Sequence, residues 1–232
     1  CSQIYLPVAL QLADDSVKFR TDGNSFNLKM ISEFLKVPKQ TKTGSPFYAR
    51  YSLTQNELFA DAINKTGHIS SLPDADGVYR HYPLLIKIDS AFLPTVTLSM
   101  FLEYVEIPFD SIMIEWGERI IIPKLNESYL EKEIIIPINA KGQCFIPYPY
   151  KWQKSPKSME LHNLLSHYED EEKFDELSEY FEGSFVFIGD ISTGIADLGH
   201  TPLEKDVPLV AVHSALMNAF LTNSFYSELK PE

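Results

Sequence analysis

Residues 189–202, Gly-Asp-Ile-Ser-Thr-Gly-Ile-Ala-Asp-Leu-Gly-His-Thr-Pro, gather more chemically capable groups than any other stretch of the chain. Asp190, Asp197 and His200 are residue types that ligate metals, and Ser192 with His200 as base is the pair a nucleophilic hydrolase needs. The spacing tells against the nucleophile, because an elbow needs one residue between its glycine and serine and two separate Gly189 from Ser192. Nor is a phosphate loop present: no Gly-Lys-Ser/Thr follows Gly189 and Gly194, and no Gly-x-Gly-x-x-Gly occurs. Turn residues shaping a strand-to-helix crossover account for the composition, at the carboxyl end of a strand, where open α/β sheets tend to hold ligands. Asp190, Ser192, Asp197 and His200 are therefore candidates for binding a ligand, and no residue is assigned a catalytic role.

Other chemistry-bearing residues are scattered. Asp74 and Asp76 suggest a calcium loop, but Val78 stands where a third ligand belongs, the glycine comes too early and no glutamate holds the twelfth position. Pro73-Asp74-Ala75-Asp76-Gly77 is instead a tight turn. Among the histidines, His68, His81, His162, His167, His200 and His213, only His162 and His167 are close, and five residues apart they leave different faces of a helix. His213, on an otherwise apolar helix, is read as a core histidine. Cys1 and Cys144 are too few and too far apart for a disulfide framework or a zinc knuckle. No metal and no cofactor is expected.

The elements that must position these groups follow from periodicity. Ile4–Leu12 alternates as a strand, and a strand so near the start of the chain is expected to find its neighbour in a segment further upstream. Leu28–Leu35 has helical spacing. Thr54 and Glu57 form a capping box for a helix carrying Leu58, Phe59, Ala62 and Ile63 and ending at Gly67. Ile69–Leu72 and Val78–Ile88 are expected to pair as a hairpin about the turn at 73–77. Pro94 opens a helix running to Val105. Ser111–Glu115, Arg119–Ile122, Glu133–Ile138 and Gln143–Pro147 suggest a meander. Met159–Tyr168 and Phe174–Phe181 are helical, and the acidic run Glu169–Glu172 between them is a solvated connection or a helix N-terminus. Phe185–Ile188 has the unbroken apolar form of a parallel strand buried on both faces. The last helix, Leu209–Leu221, presents Val212, Leu216, Ala219 and Phe220 to a core.

A mixed β-sheet with flanking helices, an α/β fold in a single domain, is the architecture these elements imply. With 44% hydrophobic residues in 232, there is enough apolar material for a sizeable core. A net charge of −12 repels phosphate backbones and anionic lipid surfaces, so nucleic acid is excluded as a partner. The apolar stretch Val207–Leu221 is interrupted by Pro208, His213, Ser214 and Asn218 and is too short to span a bilayer. Residue 1 is Cys rather than Met, which implies an upstream segment removed from the sequence.

Three stretches in this order resemble the type-two CHASE domain: Gly67–Arg80 with Pro83-Leu84-Leu85-Ile86, then Phe185-Val186-Phe187-Ile188-Gly189, then Asp197 through Thr201-Pro202 to His213-Ser214-Ala215. The resemblance is strongest over residues 60–224. It implies a non-catalytic sensory module of bacterial cyclases, histidine kinases and serine/threonine kinases, on the extracytoplasmic (periplasmic) side of the inner membrane. Such a domain follows one transmembrane helix and precedes others, so this one would be anchored through segments absent here and would lack its opening strand and helix. The family supplies no ligand or catalytic residue to carry over. An unidentified small-molecule or protein cue is the expected partner, with a homodimer left open. Val212, Leu216 and Phe220 are the candidates for passing the signal on. Two alternatives stand beside this: a periplasmic or secreted hydrolase using Asp190, Asp197 and His200, and a lipoprotein beginning at Cys1, which the strand so close to that cysteine disfavours.

Overall fold

The computed structural model describes residues 3–15, 31, 34–53, 65–152, 158–191 and 197–227. In chain order its strands are β1 (Tyr5–Ala13), β2 (Lys39–Gln40), β3 (Tyr48–Leu53), β4 (Lys65–His68), β5 (His81–Pro83), β6 (Leu85–Ile88) and β7 (Ala91–Pro94). Helix α1 (Val96–Tyr104) and a single 3-10 turn precede β8 (Met113–Glu115), β9 (Arg119–Ile122), β10 (Ile134–Pro137) and β11 (Gln143–Phe145). Helices α2 (Leu161–Tyr168) and α3 (Glu171–Phe181), the short strands β12 (Leu198–Gly199) and β13 (Val207–Pro208), and α4 (Val210–Thr222) complete the set.

The main sheet is mixed, as expected, with strand order β4-β1-β3-β6-β7. β1 runs parallel to β4 and antiparallel to β3, while β3 is parallel to β6 and β6 antiparallel to β7. β1 takes both of its neighbours, β3 and β4, from this chain. The apolar alternation of β1 buries Val8 and Leu10, which join Ala49, Ile86, Ile88 and Leu93 in a small core on this sheet.

The meander is correct for β8, β9 and β10, which pair antiparallel in sequence. Its fourth member is wrong: β2 runs parallel to β8, and β11 leaves to pair with β5. Alternate isoleucines turn one face of this sheet inward, with Ile114, Ile120, Ile122, Ile134 and Ile136 all buried in the larger core. Trp116 closes that core's edge; its Nε1 donates to Gln40 Oε1 at 2.8 Å and its ring lies against Phe92.

Between the two stretches the expected hairpin fails. The turn at 74–77 is present, with Gly77 at φ +82° and its N–H donating to Asp74 O at 2.8 Å. The strand before it, however, is β4 at 65–68 rather than Ile69–Leu72, and Val78–Ile88 divides into β5 and β6, which join different sheets. Gly67, read as a helix terminator, lies inside β4, where a Cβ would sit 2.5 Å from both Val96 Cα and Val96 N. Helix 58–63 and most of 28–35 lie outside the described residues. Pro94 ends β7 instead of opening α1, whose N-cap is Thr95.

The acidic run lies where expected: the main-chain carbonyl of Asp170 accepts from Lys173 and Phe174 N–H at the entrance to α3. The largest departure is at Phe185–Ile188. It is no buried strand: Phe185 and Phe187 pack on the larger core, whereas Val186 is 45% and Ile188 80% exposed. An apolar run says how many side chains avoid water, not whether sheets exist on both sides to cover them.

Gly67→Ala is expected to destabilise the domain by about 1–3 kcal/mol, because the obstacle is main chain and cannot rotate aside. The urea midpoint of the variant checks this.

Candidate functional site

Helix α4 lies at the centre of the larger core. Val212, Leu216, Ala219 and Phe220 are buried, Leu216 completely, as the 3.6-residue spacing requires. The Phe220 ring stacks on Phe101 of α1 with centroids 4.8 Å apart, and Phe225 meets Phe220 edge-on at 5.0 Å. Asn223 ends the helix in the left-handed conformation, φ 49°, its N–H donating back to Ala219 and Phe220 carbonyls. Packing continues beyond the helix, since Tyr226 also lies 4.9 Å from Phe145.

The loop before α4 is tied down by main-chain bonds. β12 pairs antiparallel with β13, and Leu209 N–H donates to Asp197 O at 2.9 Å, closing the loop at its base. Thr201 organises the tip: its Oγ1 donates to Glu204 O and accepts from Leu203 and Glu204 N–H. The Tyr79 N–H donates to His200 O at 2.7 Å, and Tyr148 Oη donates to Tyr79 O at 2.9 Å. Two stretches more than 100 residues apart, 67–80 and 197–215, are thereby joined through main-chain atoms.

The candidate binding residues do not assemble into a catalytic pair. His200 Nδ1 accepts from the Asp206 N–H at 3.3 Å and lies 3.9 Å from the Asp206 carboxylate. Asp197 is exposed and lies near Tyr79, whose phenol is raised by burial and then by the Asp197 charge. Asp190 is exposed beyond the 185–189 run, and Ser192 lies outside the described residues. Among the described residues no three His, Cys, Asp or Glu side chains are grouped so as to hold a metal ion. Cys144 is a buried thiol, pushed up to about 12 by desolvation.

In the turn at 74–77 the carboxylates are engaged by the chain's own cations. Arg80 grips Asp76 with two bonds of 2.8 Å, and the guanidinium holds that carboxyl at about 2. Asp74 Oδ1 faces His81 Nδ1 at 2.8 Å.

The polar group that sequence reasoning underrated sits under α4. His213 is a core histidine, as expected, its Nδ1 2.9 Å from Thr97 Oγ1. Beside it are His68, fully buried, and Tyr82, stacked 6.1 Å from His68 and edge-on to His213 at 5.4 Å. Among the described residues the His68 ring nitrogens lie near the main-chain carbonyls of Leu84 and Ser70, and Tyr82 Oη near the Thr95 side chain, without closing a hydrogen bond. Burial, reinforced by His213, pushes His68 down to about 3, and burial alone pushes His213 down to about 4. Both imidazoles are neutral at neutral pH. The available signal was the pair Thr95 and Thr97 at the start of a helix whose buried face is otherwise apolar.

One cleft adjoins this helix. It is a narrow crevice between Tyr148, Tyr150 and Trp152 on one side and Ala211, Ser214 and Ala215 of α4 on the other, with room for little more than a water molecule. Its lining carries no formal charge.

The CHASE2 domain family model matches residues 11–231, and the chain belongs to that family. CHASE2 domains are extracytoplasmic sensory domains rather than catalytic ones. No curated protein and no solved structure matches the chain. Among the described residues no helix is long and apolar enough to cross a membrane.

Two outcomes follow. Calcium should leave the thermal midpoint unchanged, since Asp74 and Asp76 are already paired; a midpoint that rises with calcium in the parent and not in Asp76→Ala overturns the turn assignment. Acid should destabilise the domain through the two histidines. Unfolded imidazoles take up protons near pH 6.5 while His213 and His68 resist until about 4 and 3, so protons favour the unfolded chain between those limits. This contribution to stability is complete above about pH 7 and is lost as pH falls toward about 3. Denaturant midpoints against pH check it, with a shallower slope for His213→Asn.

Proposed function

We propose that the chain is the sensory domain of a membrane-bound bacterial receptor, held on the periplasmic side of the inner membrane, where it controls a cytoplasmic output domain such as a nucleotide cyclase or a kinase. The observation that carries this is the family match over residues 11–231. The geometry supports a route for the signal. A cue acting on the loop that bears Asp190, Ser192, Asp197 and His200 would reach α4 directly, because Leu209 at the start of the helix donates its N–H to the Asp197 carbonyl. Only a cue with different affinity for two placements of α4 can bias the output. The hydrolase alternative gains nothing from the geometry, since His200 Nδ1 accepts from the Asp206 N–H and among the described residues no three His, Cys, Asp or Glu side chains are grouped to hold a metal ion.

Leu216→Ala would cost about 2–5 kcal/mol by opening a cavity, so Leu216→Met is the gentler probe. In the full-length receptor Leu216→Met, Asp197→Ala and His200→Ala are expected to shift basal output or its response to stimulus. If all three leave both unchanged in folded receptors, α4 and its loop do not transmit the signal.

A further inference from the structure

Two imidazoles and a phenol lie buried where β4, β5, α1 and α4 meet, with no counter-charge beside them. His68 comes from β4, His213 from α4, and Tyr82 from β5, its ring 6.1 Å from His68 and 5.4 Å from His213. α1 adds Thr95 and Thr97, Phe187 stacks on His213, and Cys144 and Tyr79 stand nearest Tyr82. Among the described residues no carboxylate, lysine or arginine bears on either imidazole. The hydrogen-bonding groups around His68 do not balance. A neutral imidazole has one N–H and one bare nitrogen, yet the main-chain groups near this ring are the carbonyls of Leu84 and Ser70, which only accept. Neither ring nitrogen is hydrogen-bonded, whereas an imidazolium would offer an N–H to each carbonyl. Burial and the second imidazole on α4 oppose that form. Moving α4 outward relieves both, because it carries His213 away and lets water reach His68. The Thr97 hydroxyl does not resist protonation of His213, since it can donate to a bare Nδ1 or accept from a protonated one.

We propose that His68, Tyr82 and His213 form an acid-responsive latch on α4, in which proton uptake by the two imidazoles frees the helix from α1 and β4 while the sheets stay folded. The buried residues of β8, β9 and β10 are all isoleucine, so acid finds nothing to charge there. Each proton taken up on release multiplies the released fraction about tenfold per pH unit below the ordinary imidazole range. Two protons over about two units therefore give about 10⁴-fold, enough to carry an equilibrium from about 1:99 to about 99:1. Taken with the receptor reading above, which it deepens but does not need, the latch makes external acidity a cue.

The chain's two tryptophans separate release of the helix from unfolding of the whole. Trp152 lines the crevice against Ala211, Ser214 and Ala215 of α4, whereas Trp116 lies against Phe92 and Gln40 at the sheets. The test is an NMR titration of the nitrogen-labelled chain from about pH 7.5 to about pH 4. The Trp152 indole and the α4 amides are expected to shift reversibly, and the His68 and His213 ring nitrogens to take up protons over the same interval. The Trp116 indole and the amides of β8, β9 and β10 should keep their native positions. In His213→Asn and in His68→Gln the steepness of the Trp152 transition should fall from about two protons to about one. If neither variant folds, the ring-nitrogen titration of the parent decides. Signals that all change together, which is global unfolding, overturn the proposal. An α4 that holds its place throughout overturns it too, as does a transition that keeps its steepness in both folded variants. Each of these failures would leave the receptor reading standing on the family match.

Discussion

At Gly67 the main chain of β4 runs against the first residues of α1 more closely than any residue with a side chain allows. This contact fixes how far the main sheet stands from the helices. It brings His68 under α1, where the Thr95 hydroxyl donates to the His68 carbonyl, and it sets Thr97 Oγ1 2.9 Å from His213 Nδ1 on α4. The two apolar cores meet along this line, with Leu84 and Leu85 on one side and Ile86 on the other. A glycine here therefore acts on α4 at one remove, through the spacing of the layers between them.

Much of this was legible in the sequence, and the failures share one cause. Amphipathic periodicity located α1, α4 and the meander strands within a residue or two, because burial against one neighbour imposes a period of 3.6 or 2 whatever that neighbour is. What periodicity does not encode is which partner a strand takes. Val78–Ile88 reads as one strand, yet its halves join two sheets, and β2 pairs with a strand more than 70 residues further on. Phe185–Ile188 is apolar at every position and so hides its own alternation. At the site, the loop of Asp190, Asp197 and His200 was found by its composition, but its function in the fold is borne by main-chain atoms, which side-chain types do not reveal. His68 was hidden because it follows a glycine whose structural importance was misread as a helix end.

The buried polar group under α4 has a cost and a use. Two neutral imidazoles and a phenol occupy volume that leucine or phenylalanine would fill without desolvation, so they lower the stability the core could reach. Polar groups in a core are satisfied in fewer arrangements than apolar ones, and the His213 to Thr97 contact selects one rotation of α4 against α1 where aliphatic contacts would accept several. The signalling role proposed for α4 would draw on that specific placement.

The two ends of α4 are held by different physics. Its first residues are fastened by main-chain hydrogen bonds around Leu209, which are short, directional and intolerant of displacement. Its far end is held by stacked rings, Phe101 on Phe220 and Phe220 on Phe225, whose attraction changes little over small slides. In the receptor proposed above, a rod held this way would act as a lever with its fulcrum at Leu209. Thirteen residues of helix make an arm of about 20 Å, so a tilt of about 6° at the fulcrum carries the far end about 2 Å. Small adjustments in the loop would thus leave the domain magnified, at Phe225 and Tyr226.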